Sequence, residues 1–180
     1  MSLILRRTEA FEVSVSAVCL QNWTQFQSSR YRFMNTANWA NGQKRCQEIG
    51  AMLLVIESGA ENSFIAHELR LRNMGRAWLG CTDVKIEGEW VCHLADGIRA
   101  MPYDDWKSGQ PNNYLHRQHC ADVISDTGKW TDIECYHERY AVCEINSTQV
   151  KVPAAEPAVV CPRAVATSCY ILGADGRLHP

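Results

Sequence analysis

Trp106-Lys107-Ser108-Gly109-Gln110-Pro111-Asn112, followed by Cys120, Trp130-Thr131-Asp132, Cys135 and Cys143-Glu144, is the stretch on which the fold turns. Two kinds of residue are interleaved in it. Trp106 and Trp130, with Trp78 upstream, read as buried anchors, because large aromatics are most often held in cores. Gln110, Asn112, Asn113, Gln118, Thr131 and Asp132 carry amide, hydroxyl and carboxylate groups able to hydrogen-bond a ligand, and Tyr114 is a candidate exposed ring able to stack on a flat ligand face. Residues 95–118 as a whole are rich in Gly, Pro, Asp and Asn and too long for a simple connector, which marks a functional loop.

Outward from this loop, the pattern upstream is helical. Trp39, Cys46 and Ile49 share one face after Asn38, and Gly50 supplies a left-handed end. Residues 51–56 form a short apolar strand-like run. Ser58 with Glu61 has capping-box spacing for a second helix that carries Phe64, Ile65 and Leu69 and ends near residues 72–75. Residues 77–81 and 89–92 read as strands joined by a turn at 85–88, and residues 142–144 as a closing strand. Helices followed by strands predict an α+β fold. The chain divides into a leader or extended segment at 1–18, a domain at 19–145 and, at 146–180, a Pro/Ala-rich linker with a cysteine-containing tail.

Composition narrows the function. A hydrophobic fraction of 46% over 180 residues suits one packed domain with appendages. A net charge of -2 supplies no field for nucleic acid or an anionic membrane. No stretch approaches the ~20 apolar residues of a membrane span. Nine cysteines without Cys-x-x-Cys pairs favour disulfides and an oxidising, extracellular setting over zinc ribbons or redox sites. Sequons at Asn22 and Asn146 are candidate glycosylation sites in keeping with that. Arg6-Arg7 and Glu9 interrupt any signal-peptide pattern, so the sequence reads as a fragment or a domain of a longer secreted chain. Neither a Ser/His/Asp arrangement nor a phosphate-cradling glycine loop is present, and the chain is expected not to be an enzyme. His116, His119 and His137 are the one catalytic-metal alternative, and they read as exposed loop histidines because no His-Glu-x-x-His pattern surrounds them.

The order of these landmarks over residues 19–145 resembles the C-type lectin-like domain. Cys19 and Trp23 are similar to its opening Cys-x-x-x-Trp, and Tyr31-Arg32-Phe33 to its Tyr-x-Phe. Trp39 and Cys46 match its first helix, and residues 50–65 its second helix and lead-in. Trp78-Leu79-Gly80-Cys81 resembles its Trp-Ile-Gly-Leu strand, Glu87-Gly88-Glu89-Trp90 its turn, and Trp106 to Asn112 its long-loop motif. The resemblance implies two helices packed on small antiparallel sheets with a long irregular loop, and disulfides Cys46–Cys143 and Cys120–Cys135. It also implies a cis bond before Pro111, the one kind of peptide bond for which cis is cheap.

Cys81 and Cys92 flank the proposed turn symmetrically, which predicts a third bridge across the hairpin. Cys161 and Cys169 either close a small tail loop or begin a truncated repeat. Cys19 then pairs with the tail, stays free, or links two chains in a covalent dimer.

In calcium-dependent members of the resembled family, one ion is held by the positions that are here Gln110, Asn112, Gln118, Thr131 and Asp132. Only Asp132 is a carboxylate, which leaves little charge to offset the dehydration of a divalent cation. No cofactor is therefore expected, and any Ca2+ binding is weak. The function implied is extracellular recognition of a glycan through the long loop, with protein recognition as the alternative; nucleic acid and membrane insertion are excluded.

Overall fold

The computed structural model describes residues 22–146, with the backbone of 159–160, 170–172 and 178–179. The expected leader at 1–18, the pairing of Cys19, Cys161 and Cys169, and most of the tail lie outside the described residues. Asn22–Lys151 is one compact unit, and the strands of the tail belong to another.

Helix α1 (Trp39–Glu48) starts because the Asn38 side chain accepts a hydrogen bond from the backbone N–H of Asn41. It stops at Gly50, whose φ of 71° is left-handed. There the N–H of Gly50 reaches Gln47 O at 3.0 Å and that of Ala51 reaches Cys46 O at 2.9 Å, the paired bonds of a Schellman ending. Helix α2 (Gly59–Leu71) is capped by Ser58, which accepts from Glu61 N. The return arm of the expected capping box is shifted by one residue: the Glu61 carboxylate accepts from the N–H of Glu57 at 2.8 Å.

The strands are β1 (Thr24–Phe26), β2 (Ser29–Ala37), β3 (Met52–Leu53), β4 (Arg76–Thr82), β5 (Val91–Leu94), β6 (Gly97–Ala100), β7 (Cys120–Ile124), β8 (Trp130–Ile133) and β9 (Arg139–Asn146). They join into one nine-stranded sheet ordered β1-β2-β9-β4-β5-β6, with β3 on β9 and β7–β8 branching from β4. Nearly all pairs are antiparallel, and β4 meets β9 in parallel at Ala77 and Tyr140. In the tail, β10 (Val159–Val160), β11 (Tyr170–Leu172) and β12 (Leu178–His179) form a separate antiparallel sheet.

The run at 51–56 is shorter as a strand than its apolar pattern suggests. Only Met52 and Leu53 are ladder partners of β9; residues 54–56 are buried past the ladder's end, with Leu54 N still donating to Val142 O on β9 at 2.9 Å and Leu54 O accepting from Gly80 N at 2.6 Å. Strand β6 lies inside the stretch read as loop, paired with β5 from Val91↔Ala100 to Leu94↔Gly97.

Trp78, Leu53, Cys46 and Cys143 pack in one core cluster under α1, and Trp130, Val123, Ile65, Leu69 and Tyr31 in another under α2. Among the described residues, disulfides join Cys46 to Cys143, Cys81 to Cys92 and Cys120 to Cys135. Cys81 and Cys92 are direct cross-strand partners of β4 and β5, as their symmetry about the turn predicts. The architecture is α+β, with two helices on a mixed sheet.

Candidate functional site

The long loop is held from below by its tryptophans. Trp130 is 1% exposed, and its indole N–H donates to Asn62 Oδ1 on α2 at 2.9 Å. The Asn62 amide in turn donates to Asp105 Oδ2 at 3.1 Å and to Gly128 O at 3.0 Å. Trp106 is only partly buried; its ring packs 4.8 Å from Trp90 and 5.9 Å edge-on to Trp130. Lys107 N to Trp130 O at 2.9 Å and Trp130 N to Asp105 O at 3.0 Å bind the start of the loop to β8. The Gln110–Pro111 bond is cis, as the resemblance implies.

Asp132 organises the segment after Pro111. It is 2% exposed, and its Oδ2 accepts from the backbone N–H groups of Asn112 at 3.0 Å and Asn113 at 2.5 Å. Two charge-assisted bonds to consecutive amides fix the backbone just past the cis bond. Asn112 Oδ1 and Gln118 Oε1 both accept from Tyr114 N, at 3.0 and 2.9 Å, and Asn113 Oδ1 accepts from Gln118 N at 3.0 Å. Gln110, Asn112, Asn113, Tyr114, Gln118 and Asp132 therefore form one connected loop region. Tyr114 is 65% exposed at its crest.

Thr131 does not join them. Strand alternation turns it to the other face of β8, where its hydroxyl donates to Asp122 Oδ1 at 2.6 Å. Asp122 is fully buried and also accepts from Arg139 Nε at 2.6 Å and Arg76 Nη1 at 3.1 Å. The structure places Thr131 in a buried charge network and not beside the other expected ligand residues. Residue type alone carries no sign of this, because Asp122 becomes its partner only through the β7–β8 register Asp122↔Thr131.

The three histidines separate. His116 is exposed, and His137 lies 2.9 Å from Glu134. The Glu134 carboxyl is held below its usual range by the Tyr136 hydroxyl bond, with His137 and Arg117 adding to the effect. His119 faces Asp83 and Glu87; Glu87 opens the turn motif Glu87-Gly88-Glu89-Trp90, and neither is among the expected site residues. Their signal is their spacing of four across a turn ending in Gly88, whose N–H bonds Asp83 Oδ2 at 2.9 Å.

The calcium positions can be tested by counting uncommitted oxygens. Gln110 Oε1 and Asp132 Oδ1 are buried with no hydrogen-bond partner, whereas the oxygens of Asn112 and Gln118 accept from Tyr114 and that of Thr131 is turned away. Two free oxygens, one of them from the single carboxylate, are fewer than the roughly six to eight oxygen ligands that calcium takes.

Asn22 is exposed, as a glycan acceptor must be. Asn146 ends β9, and the rest of its sequon lies outside the described residues.

Residues 35–145 match the family model described as the Lectin C-type domain. The chain is 35% identical over 125 residues to the hepatic lectin of Gallus gallus, a match covering 69% of this chain and 58% of that protein. It is 32% identical over 139 residues to C-type lectin domain family 4 member E of Homo sapiens, covering 73% and 61%. The chain thus spans a little over half the length of these relatives. Among solved structures, the cow C-type carbohydrate-recognition domain of CD23 superimposes with a TM-score of 0.62 at 28% identity, covering 71% of this chain and 95% of that one. The family model covers more than half of the chain and the solved structure shares its fold, and the chain belongs to the C-type lectin domain family, whose modules serve recognition.

Proposed function

We propose that this domain recognises a glycan at its long loop by direct hydrogen bonding, without resident calcium. The observation that carries the reading is the pair of orphaned buried acceptors, Gln110 Oε1 and Asp132 Oδ1. A buried acceptor without a donor is costly, and sugar hydroxyls are donors of the right size. Asn112 and Gln118, with their oxygens committed to Tyr114, keep amide N–H groups to donate to sugar oxygens, and Asn113 holds the backbone between them. Exposed Tyr114 offers a ring face for stacking. The matched hepatic lectin and the CD23 structure, solved in the presence of GlcNAc2Man3 oligosaccharide, support a sugar ligand. The disulfides support an extracellular setting.

The test is a glycan array read in calcium-free buffer and in millimolar calcium. Equal binding is expected in both, with Asp132→Ala weakening it at least tenfold, since the substitution removes the free oxygen and releases Asn112 and Asn113. Absence of any bound glycan, or binding that appears only with calcium, would defeat the reading.

A second reading, protein recognition, is favoured by a groove of about 810 Å3 lined by Trp39, Val84, Ile86, Val91, His93 and Ile98. Val84, Ile86 and Ile98 expose over half of their surface there. Ile86→Asp and Ile98→Asp would weaken a protein ligand seated in the groove and leave glycan binding at the loop untouched.

A further inference from the structure

The turn between β4 and β5 projects from the domain. Residues 84–89 are all exposed, and the turn closes where Glu89 N donates to Ile86 O at 3.0 Å. Beside it lies the apolar groove, whose half-buried lining includes Trp39, Val91 and His93, and which Val84 and Ile86 of the turn also line. We propose that this face is a self-docking surface, on which a second copy of the chain seats about a two-fold axis to form a non-covalent dimer. The proposal rests on the reading of the groove as a protein surface and is independent of glycan recognition at the loop.

Strand alternation makes the face apolar. In the β5–β6 ladder Val91 stands across from Ala100 and His93 across from Ile98, while Cys92 between them is buried and bridged to Cys81. Val91, His93 and Ile98 therefore share the groove side. Burial holds the His93 imidazole below its usual range, and its ring lies edge-on to Trp39 at 5.3 Å, so this part of the lining carries no charge at neutral pH. Seven large apolar side chains are exposed among the described residues, and four of them, Val84, Ile86, Ile98 and Tyr136, line this groove. Apolar exposure gathered in one place, and not scattered, marks an interaction surface.

Shape and charge both favour a second copy as the occupant. A two-fold interface needs one patch that is complementary to itself, and here a projecting apolar turn and an apolar groove lie side by side. Rotation about an axis between them seats each turn in the groove of the other copy. Lys85 and Glu89 flank the turn and line the groove, and among the described residues neither forms an ion pair. Two turns packed antiparallel place Lys85 of one copy against Glu89 of the other, twice, so the rims attract where the apolar centre is covered. With a net charge of only -2, no general repulsion drives two copies apart. Gln110, Asn112 and Tyr114 are not part of the lining, so a dimer carries two long loops, which raises avidity for a multivalent ligand.

The test is sedimentation velocity of the full chain from low micromolar to near-millimolar concentration, with non-reducing electrophoresis of the same samples. A reversible monomer–dimer equilibrium with a micromolar midpoint is expected, from chains that run as monomers on the gel. Ile86→Asp, at an exposed turn position where folding is not at stake, should weaken the dimer at least tenfold. Lys85→Glu and Glu89→Lys should each weaken it at least threefold, because each leaves like charges facing. Mixing those two variants in equal amounts should restore a dimer as tight as the parent, since every facing pair in the mixed dimer is again of opposite sign. That rescue requires a two-fold contact between positions 85 and 89. A chain that is monomeric throughout overturns the proposal without touching glycan binding or the wider reading of the groove, whose own test is the response of a protein ligand to Ile98→Asp. A dimer that survives Ile86→Asp, one that is disulfide-linked and dissociates on reduction, or a mixture that stays monomeric overturns it equally.

Discussion

At the scale of single residues, buried polar groups decide more than apolar ones. Glu144, beside the closing cysteine of the long-loop half of the domain, accepts from Ser29 Oγ at 2.8 Å and Val55 N at 3.2 Å. Burial, with the nearby charge of Glu61 adding to it, pushes its carboxyl up to about 7. Glu61 is itself raised by burial, against the opposing bond from the Tyr31 hydroxyl at 2.5 Å. A carboxyl raised on folding favours the protonated native state, so its contribution to stability is complete below about pH 4.5 and is lost as pH rises through about 7. Glu144→Gln, which mimics the protonated form, should remove part of that loss. Urea unfolding is expected to show the variant gaining on the parent by on the order of 1–3 kcal/mol between pH 4.5 and pH 8; parallel pH profiles would refute the assignment to Glu144.

At the scale of elements, contact between β4 and the segment after β3 is as close as a backbone allows. A Cβ on Gly80 would stand 2.5 Å from Leu53 O, and the Gly80 N–H donates to Leu54 O at 2.6 Å. The need for glycine here is close approach and not a positive φ. Gly80→Ala must push β4 off its neighbour and should cost about 1–3 kcal/mol or more, seen as a lowered unfolding midpoint. A midpoint unchanged within error would show that the segments can part freely. The helices are the most legible elements, because Asn38, Gly50 and Ser58 each carry their own capping chemistry. Strands β7 and β8 are the least legible: their partners are set by register, and the same register turns Thr131 inward to Asp122.

At the scale of the whole molecule, the Cys46–Cys143 bridge ties α1 to β9 across 97 residues of sequence. Loop-closure entropy for a ~100-residue loop is worth about 4.7 kcal/mol in the chain-entropy model, against about 3 kcal/mol for a ~15-residue loop such as that of Cys120–Cys135. Replacing Cys46 and Cys143 together with Ala should therefore lower unfolding stability more than replacing Cys120 and Cys135. Denaturant titration of the two double variants checks the order, and its reversal would show that native packing, not loop length, sets the contribution of each bridge.

Fold class, both helices, the three disulfides and the position of the long loop were legible in the chain, because each rests on local chemistry or on ordered landmarks. Caps act within four residues, periodicity within a few turns, and cysteines and tryptophans punctuate a known order. The orientation of side chains around the site was not legible. Asn62 under Trp130, Asp122 opposite Thr131, and Asp83 and Glu87 beside His119 lie 68, 9, 36 and 32 positions from the residues they meet. Residue types by themselves determined that the loop would be polar and poor in carboxylates. Only the tertiary structure decided which oxygens remain free and which histidine meets the carboxylates, because strand register and loop closure set those distances.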